Sequence, residues 1–128
     1  MKKILIIDDD RTFLKIISDY IQVRYPALNI TACDDPIKGL AAIKNDLDLL
    51  LIDLEMPGID GGKLLSYATE RGISKSRIII LSGHDAEYLH EQFPMGKCLA
   101  VLNKYEARQK EVLDMVCRSL QEKGEYGK

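Results

Sequence analysis

No apolar run in this 128-residue sequence approaches the roughly 20 residues a membrane-spanning helix needs. The opening MKKILIIDDD starts basic, but its apolar stretch is too short for a signal peptide and meets acid at once. Lys and Arg number 18 against 20 Asp and Glu, a net charge of -2, and no helix face gathers the cations. The electrostatic footprint of a nucleic-acid binder is therefore missing. Cysteines are few and odd in number. Cys33, Cys98 and Cys117 lack metal-ligand spacing, which argues against a disulfide framework and for reduced thiols in a cytoplasmic protein. The two histidines, His84 and His90, have no Cys or His group nearby in sequence, which argues against a zinc site. Internal repeats, low-complexity stretches and linkers are all missing. The chain reads as one domain over residues 1–123 with a frayed tail, GEYGK, over 124–128, able to bury about two-thirds of its unfolded surface.

What is present is a set of short, continuous aliphatic runs: ILII (4–7), LLLI (49–52), IIIL (78–81) and CLAVL (98–102). Continuous rather than alternating runs suit strands covered on both faces of a parallel sheet. A weaker run, NITAC (29–33), suits an edge strand. Helical periodicity fills the intervals. Phe13, Ile16, Ile17, Tyr20 and Ile21 predict one apolar face over 11–24. Asp35-Pro36 is a cap and first-turn signal for a second helix carrying Ile37, Leu40, Ala41 and Ile43. A third helix is expected over 63–71, closed by Gly72, and a short fourth over 85–93, stopped by Pro94. The longest is expected over 106–123, with Leu113, Val116, Cys117 and Leu120 on one face and Val112 and Met115 widening it. Five strands alternating with five helices predict a doubly wound α/β fold with helices on both faces of a parallel sheet. With strand order 2-1-3-4-5, ligands bind beyond the carboxyl ends of the strands, near the switch between the first and third.

The residues just after the apolar runs form a chemical set. Asp8 and Asp9 follow the first run, Asp53 and then Glu55 the third strand, Ser82 the fourth, and Asn103-Lys104 the fifth. Brought to one sheet edge, these would place several carboxylates around one hydroxyl and one ammonium. That excess of negative charge calls for a divalent cation, and an all-oxygen ligand set suits Mg2+. The same parts serve phosphoryl transfer: an in-line nucleophile, a metal, and fixed positive charge for the equatorial oxygens. Of the three consecutive acids, Asp10 is placed to cap the helix that follows.

The acidic pair in ILIIDDD, the stretch LLLIDLEMPGIDGG, the hydroxyl in IIILSG and the lysine in VLNK together resemble the four motifs of response regulator receiver domains, over nearly the whole chain. The resemblance implies the flavodoxin-like (βα)5 fold and a phosphorylation-controlled switch of two-component signalling, a signalling module rather than an enzyme in the usual sense. It implies that Asp53 takes a phosphoryl group from a phosphohistidine on a sensor histidine kinase or His-containing phosphotransfer protein. Asp9 would bind Mg2+ directly with Asp8 assisting and Asp53 in the ligand set, and Glu55 would offer its backbone carbonyl. Ser82 and Lys104 would contact phosphoryl oxygens. The signal would pass to a downstream protein or output domain through the face of the fourth helix, fifth strand and fifth helix, with no direct nucleic-acid or membrane contact. A phosphorylation-dependent homodimer is left open.

Three alternatives compete. DDDRT (8–12) also fits the DxDxT signature of haloacid-dehalogenase-type phosphatases, with Asp8 as nucleophile and Asp10 as acid/base. That class needs a further acidic motif after the lysine, for which only residues such as Glu111 and Asp114 are available, and it leaves Asp53 and its loop unemployed. A pseudo-receiver would keep the fold without phosphotransfer, but the complete set of Asp8, Asp9, Asp53, Ser82 and Lys104 argues against it. A flavodoxin-like cofactor binder lacks its phosphate loop after the first strand. The chain also departs from the receiver pattern. Val101 stands where many receivers carry a switch aromatic, so the signal is expected to travel through the loop after Ser82. Tyr105 follows Lys104 where a cis-bonded Pro is usual, which makes a trans bond the expectation. Glu55 and His84 occupy positions expected to tune phosphoryl lifetime by acting on the attacking water.

Overall fold

The computed structural model describes residues 2–56, 58, 61–83, 91, 98–104 and 108–126. Five parallel strands form one sheet in the order β2-β1-β3-β4-β5: β1 (Lys3–Ile7), β2 (Asn29–Cys33), β3 (Leu49–Asp53), β4 (Ile78–Ser82) and β5 (Ala100–Asn103). The first three aliphatic runs became strands at the expected places, the fifth strand starts at Ala100 and leaves Cys98 and Leu99 outside it, and NITAC lies at the sheet edge beside β1. The register pairs Ile7 with Ile52, Asp53 with Leu81, and Ser82 with Asn103, so the strands finish nearly level along one edge.

Alternate residues of each strand face opposite sides, which is why the runs are apolar throughout. Ile4, Ile6, Leu49, Leu51, Ile79, Leu81 and Leu102 pack under α1 (Arg11–Arg24) and the C-terminal helix (Arg108–Tyr126). Leu5, Ile7, Leu50, Ile52, Ile78 and Ile80 pack under α2 (Pro36–Ala41) and α3 (Gly61–Glu70). Each fully buried Leu or Ile contributes about 1.5–3 kcal/mol by leaving water. The two layers clamp the strands and hold their carboxyl ends in place.

The helix starts follow local chemistry. Asp10 caps α1, its side chain accepting from the Phe13 amide at 3.1 Å, and Asp35 caps α2 by accepting from the Ile37 amide at 2.9 Å with Pro36 beside it in the first turn. At the end of α3, Gly72 adopts φ +96, and the Ile73 amide donates to the Ala68 carbonyl at 3.1 Å. This left-handed closure is the reason glycine stands there.

Several expected faces are rotated. On α1 the buried residues are Leu14, Ile17 and Ile21, with Phe13 and Tyr20 half-buried and Ile16 57 % exposed. On the short α2, Gly39 meets the sheet while Ile37 is 78 % exposed, and the helix ends at Ala41 before buried Ile43. On the C-terminal helix Leu113 and Cys117 are buried, but Met115 points outward. Asp114 replaces it in the packing against α1, accepting from the hydroxyls of Tyr20 at 2.8 Å and Tyr25 at 2.9 Å. Burial, together with the Asp114 charge, pushes the Cys117 thiol up to about 12, so it behaves as a neutral core group. The same helix continues to Tyr126, past its expected end at Lys123. The expected fourth helix (85–93) lies outside the described residues apart from Glu91, as does the peptide bond before Tyr105.

At Gly39 a Cβ would sit 2.7 Å from Ile7 Cγ2, a branched atom with little room to yield. Gly39→Ala should therefore lose about 1–2 kcal/mol of stability despite its better helix propensity, read as a lowered urea midpoint at unchanged slope.

Candidate functional site

Asp53 is the last residue of β3 and Ser82 the last of β4, while Asp8 and Lys104 each follow a strand directly. Backbone bonds extend the sheet past its formal ends: the Asp8 amide donates to Cys33 O at 3.1 Å and the Lys104 amide to Ser82 O at 2.8 Å. The functional side chains thus inherit their spacing from the sheet register rather than from a free loop.

Asp8, Asp53 and Ser82 are all buried, whereas Asp9 is exposed at the rim. The Lys104 ammonium bridges the two buried acids, 2.6 Å from Asp8 Oδ2 and 3.3 Å from Asp53 Oδ2. The half-buried Phe13 ring lies 4.8 Å from the same nitrogen and shields it from water, adding a cation–π contact. Asp8 Oδ1 accepts the Asp10 amide at 2.9 Å, and Asp53 Oδ1 accepts the Glu55 amide at 3.1 Å. The three consecutive acids at 8–10 therefore divide their work: Asp8 points inward, Asp9 stands at the mouth, and Asp10 caps α1.

One ammonium does not neutralise this set. Burial lifts the Asp53 carboxyl above its ordinary value; the Glu55 amide pulls it back, the Asp8 charge lifts it further, and Lys104 opposes that. Asp9 is lifted chiefly by burial and by the charge of Asp53. For Lys104 burial acts downward, but Asp8 and Asp53 outweigh it and raise the ammonium above 10.5. Carboxylate oxygens of Asp8, Asp9 and Asp53 lie within 4.8 Å of one another, and the buried Asp8 Oδ2 relies on the Lys104 ammonium, which must also serve Asp53. An all-oxygen cluster of three carboxylates facing one shared ammonium has a deficit of positive charge, and that fits a hard divalent cation.

Of the expected strand-end groups, Asp8, Asp9, Asp53 and Lys104 come together here, with Ser82 and Glu55 beside them. The side chain of Glu55, expected to act on water, is engaged elsewhere: its Oε1 accepts the Ser82 hydroxyl at 2.9 Å and the Gly83 amide at 3.1 Å. Val101 is half-buried and packs on the α2 and α3 side of the sheet. His84 lies outside the described residues. Sequence reasoning missed the Phe13 shield, whose only signal was an aromatic one turn beyond the acidic run, and it missed the partners of the Glu55 carboxylate. The residues a phosphatase of the rival class would need are committed elsewhere, Asp10 as a cap and Asp114 to two tyrosines.

An acidic, lysine-bridged pocket at the carboxyl edge of a doubly wound sheet lies where α/β domains of this class bind their ligands. The sequence model of the response regulator receiver domain matches residues 4–116, and the chain belongs to that family. It is 33% identical over 101 residues to two-component response regulator ARR12 of Arabidopsis thaliana, covering 75% of this chain and 16% of that protein. It is 31% identical over 104 residues to the transcriptional regulatory protein CpxR of Klebsiella pneumoniae, covering 73% and 44%. The chain thus spans less than half of the curated relatives it matches. Among solved structures, a CheY-like receiver domain protein from Methanospirillum hungatei superposes with a TM-score of 0.74 at 22% identity, covering 98% of both chains. Response regulator TrrA from Thermotoga maritima, solved in complex with Mg(2+)-BeF, gives 0.71 at 21% identity, covering 91% of this chain and 99% of that one. Among the described residues no helix is long and apolar enough to cross a membrane.

The raised carboxyl at Asp9 sets a stability test. A carboxyl whose folded value lies above its unfolded one opposes folding once ionised. The penalty is absent below about pH 3.8 and develops as pH rises through the raised folded value. Asp9→Asn should melt higher than wild type at neutral pH, and the two melting temperatures should converge under acid, as followed by circular dichroism.

Proposed function

We propose that this two-component receiver domain accepts a phosphoryl group on Asp53 and uses the modified site as a switch. The observation that carries the reading is the placement of Asp53: buried at the end of β3, one oxygen fixed by the Glu55 amide at 3.1 Å and the other 3.3 Å from the Lys104 ammonium. A carboxylate held this way cannot rotate freely, and orientation of the attacking oxygen is much of what an in-line displacement requires.

The donor is a phosphohistidine on a sensor histidine kinase or a His-containing phosphotransfer protein. An Asp53 oxygen forms the new P–O bond as the donor P–N bond breaks, and the electron pair returns to the imidazole, which takes up a proton. Lys104 bears the positive charge that offsets the developing phosphoryl oxygens, and the Ser82 hydroxyl is a donor to one of them. Asp8, Asp9 and Asp53, with the backbone carbonyl of Glu55, hold Mg2+, which when bound supplies further positive charge to the transferring group. Phosphorylation adds about one and a half to two negative charges in a pocket where Lys104 is already engaged by two acids. The Lys104 contacts must therefore redistribute, and β5 with the C-terminal helix presents that change to a downstream protein or output domain. With Val101 in place of a mobile ring, the Ser82–Gly83 backbone carries the change. Three reduced cysteines suit a cytoplasmic setting.

Intact mass after incubation with an acyl phosphate tests this. Wild type should gain one phosphate only with Mg2+, and Asp53→Asn should gain none. A wild type that gains no phosphate, from the acyl phosphate or from a phosphorylated kinase, would leave a binding module in place of a phosphoacceptor.

A further inference from the structure

The Glu55 carboxylate occupies a position that the reaction itself needs. Ser82 at the end of β4 and Gly83 just beyond it aim a hydroxyl and an amide hydrogen at one oxygen, Glu55 Oε1, at 2.9 and 3.1 Å. Two convergent donors on one anionic oxygen constitute an oxyanion receptor. It belongs to the strand next to Asp53, where the register sets Asp53 opposite Leu81, one residue before Ser82. Glu55 is tied to Asp53 from the other side as well, since its own amide holds Asp53 Oδ1 at 3.1 Å. One residue therefore steadies the acceptor with its backbone and fills the neighbouring receptor with its side chain.

From this arrangement we infer that Glu55 is a resident anion in the seat of a phosphoryl oxygen, and that phosphorylation of Asp53 requires its carboxylate to swing out. The inference rests on the reading of Asp53 as phosphoacceptor. Ser82 has one hydroxyl hydrogen and Gly83 one amide hydrogen, so a second anion cannot take both bonds while the first keeps them. A carboxylate and a phosphoryl group held side by side would also repel, in a pocket already short of positive charge. Glu55 is exposed while Ser82 is fully buried, so the carboxylate reaches its two donors from the solvent side. Glu55 thus keeps two buried donors paired in the unmodified protein, competes with the incoming group, and returns when the phosphoryl group is lost. Its carboxylate sets the readiness of the site.

Glu55→Ala empties the seat, and Glu55→Gln keeps an acceptor oxygen without the charge. With acetyl phosphate and Mg2+, an Asp53 oxygen bonds phosphorus as acetate leaves with the electron pair, and the rate can be followed by mass. The expected order is Ala fastest, then Gln, then wild type, spanning about three- to tenfold, as suits two charge-assisted contacts made by a side chain open to solvent. Beryllofluoride with Mg2+ should bind the variants more tightly in the same order. The Gly83 amide proton gives a reading independent of turnover: it should move upfield in Glu55→Ala before any addition and converge among all three proteins once beryllofluoride is bound. Equal rates in all three proteins, with an unmoved Gly83 amide and normal phosphorylation, would overturn the inference and leave the acceptor reading intact. If no protein gains phosphate or binds beryllofluoride, the acceptor reading fails and the inference fails with it, whatever the Gly83 amide does.

Discussion

The interaction on which the rest depends is the burial of two carboxylates against one ammonium. Asp8 and Asp53 are removed from water at the carboxyl edge of the sheet, and Lys104 reaches both. A buried charge without a partner costs several kcal/mol, so the lysine and the two backbone amides that hold these acids are conditions for the pocket to exist. The balance is incomplete by one charge, with Asp9 adding a further acid at the rim. A site with excess negative charge attracts a cation and repels a further anion. That contrast makes the pocket chemistry conditional.

The sheet makes such a pocket affordable in conformational terms. Because every functional side chain sits on or beside a strand end, its position is set by ladders that are buried on both faces. Asp8, Asp53, Ser82 and Lys104 come from segments far apart in sequence but adjacent or nearly so in the order β1-β3-β4-β5. Loop residues add detail, yet the distances between charges follow from register. The Tyr20–Asp114–Tyr25 bonds reinforce this from outside by locking the C-terminal helix to α1, the helix that also supplies the Phe13 shield over Lys104.

Glu55 ties the end of β3 to the end of β4. Its amide belongs to the environment of Asp53 and its carboxylate to that of Ser82, so a movement of this residue is felt on both β3 and β4.

Continuous aliphatic runs, capping acids and turn glycines act through neighbours in the chain, so the sequence by itself determined the five strands, the starts of α1 and α2, the closure at Gly72 and the residues that crowd the sheet edge. Helix faces were less legible. The stripe on α1 is turned toward Leu14 and away from Ile16, and α2 meets the sheet through Gly39 instead of Ile37, because packing selects whichever side fits the ridge of side chains beneath it. Nor could periodicity show that Phe13 would cover Lys104, or that Asp114 would serve two tyrosines instead of a metal. The destination of the Glu55 carboxylate was the least legible feature. It lies 27 residues from Ser82 along the chain, and only the pairing of β3 with β4 brings them within a hydrogen bond. Local propensity is written in short-range order, whereas the charge balance of a site depends on which distant segments share an edge, and that is decided by the tertiary fold.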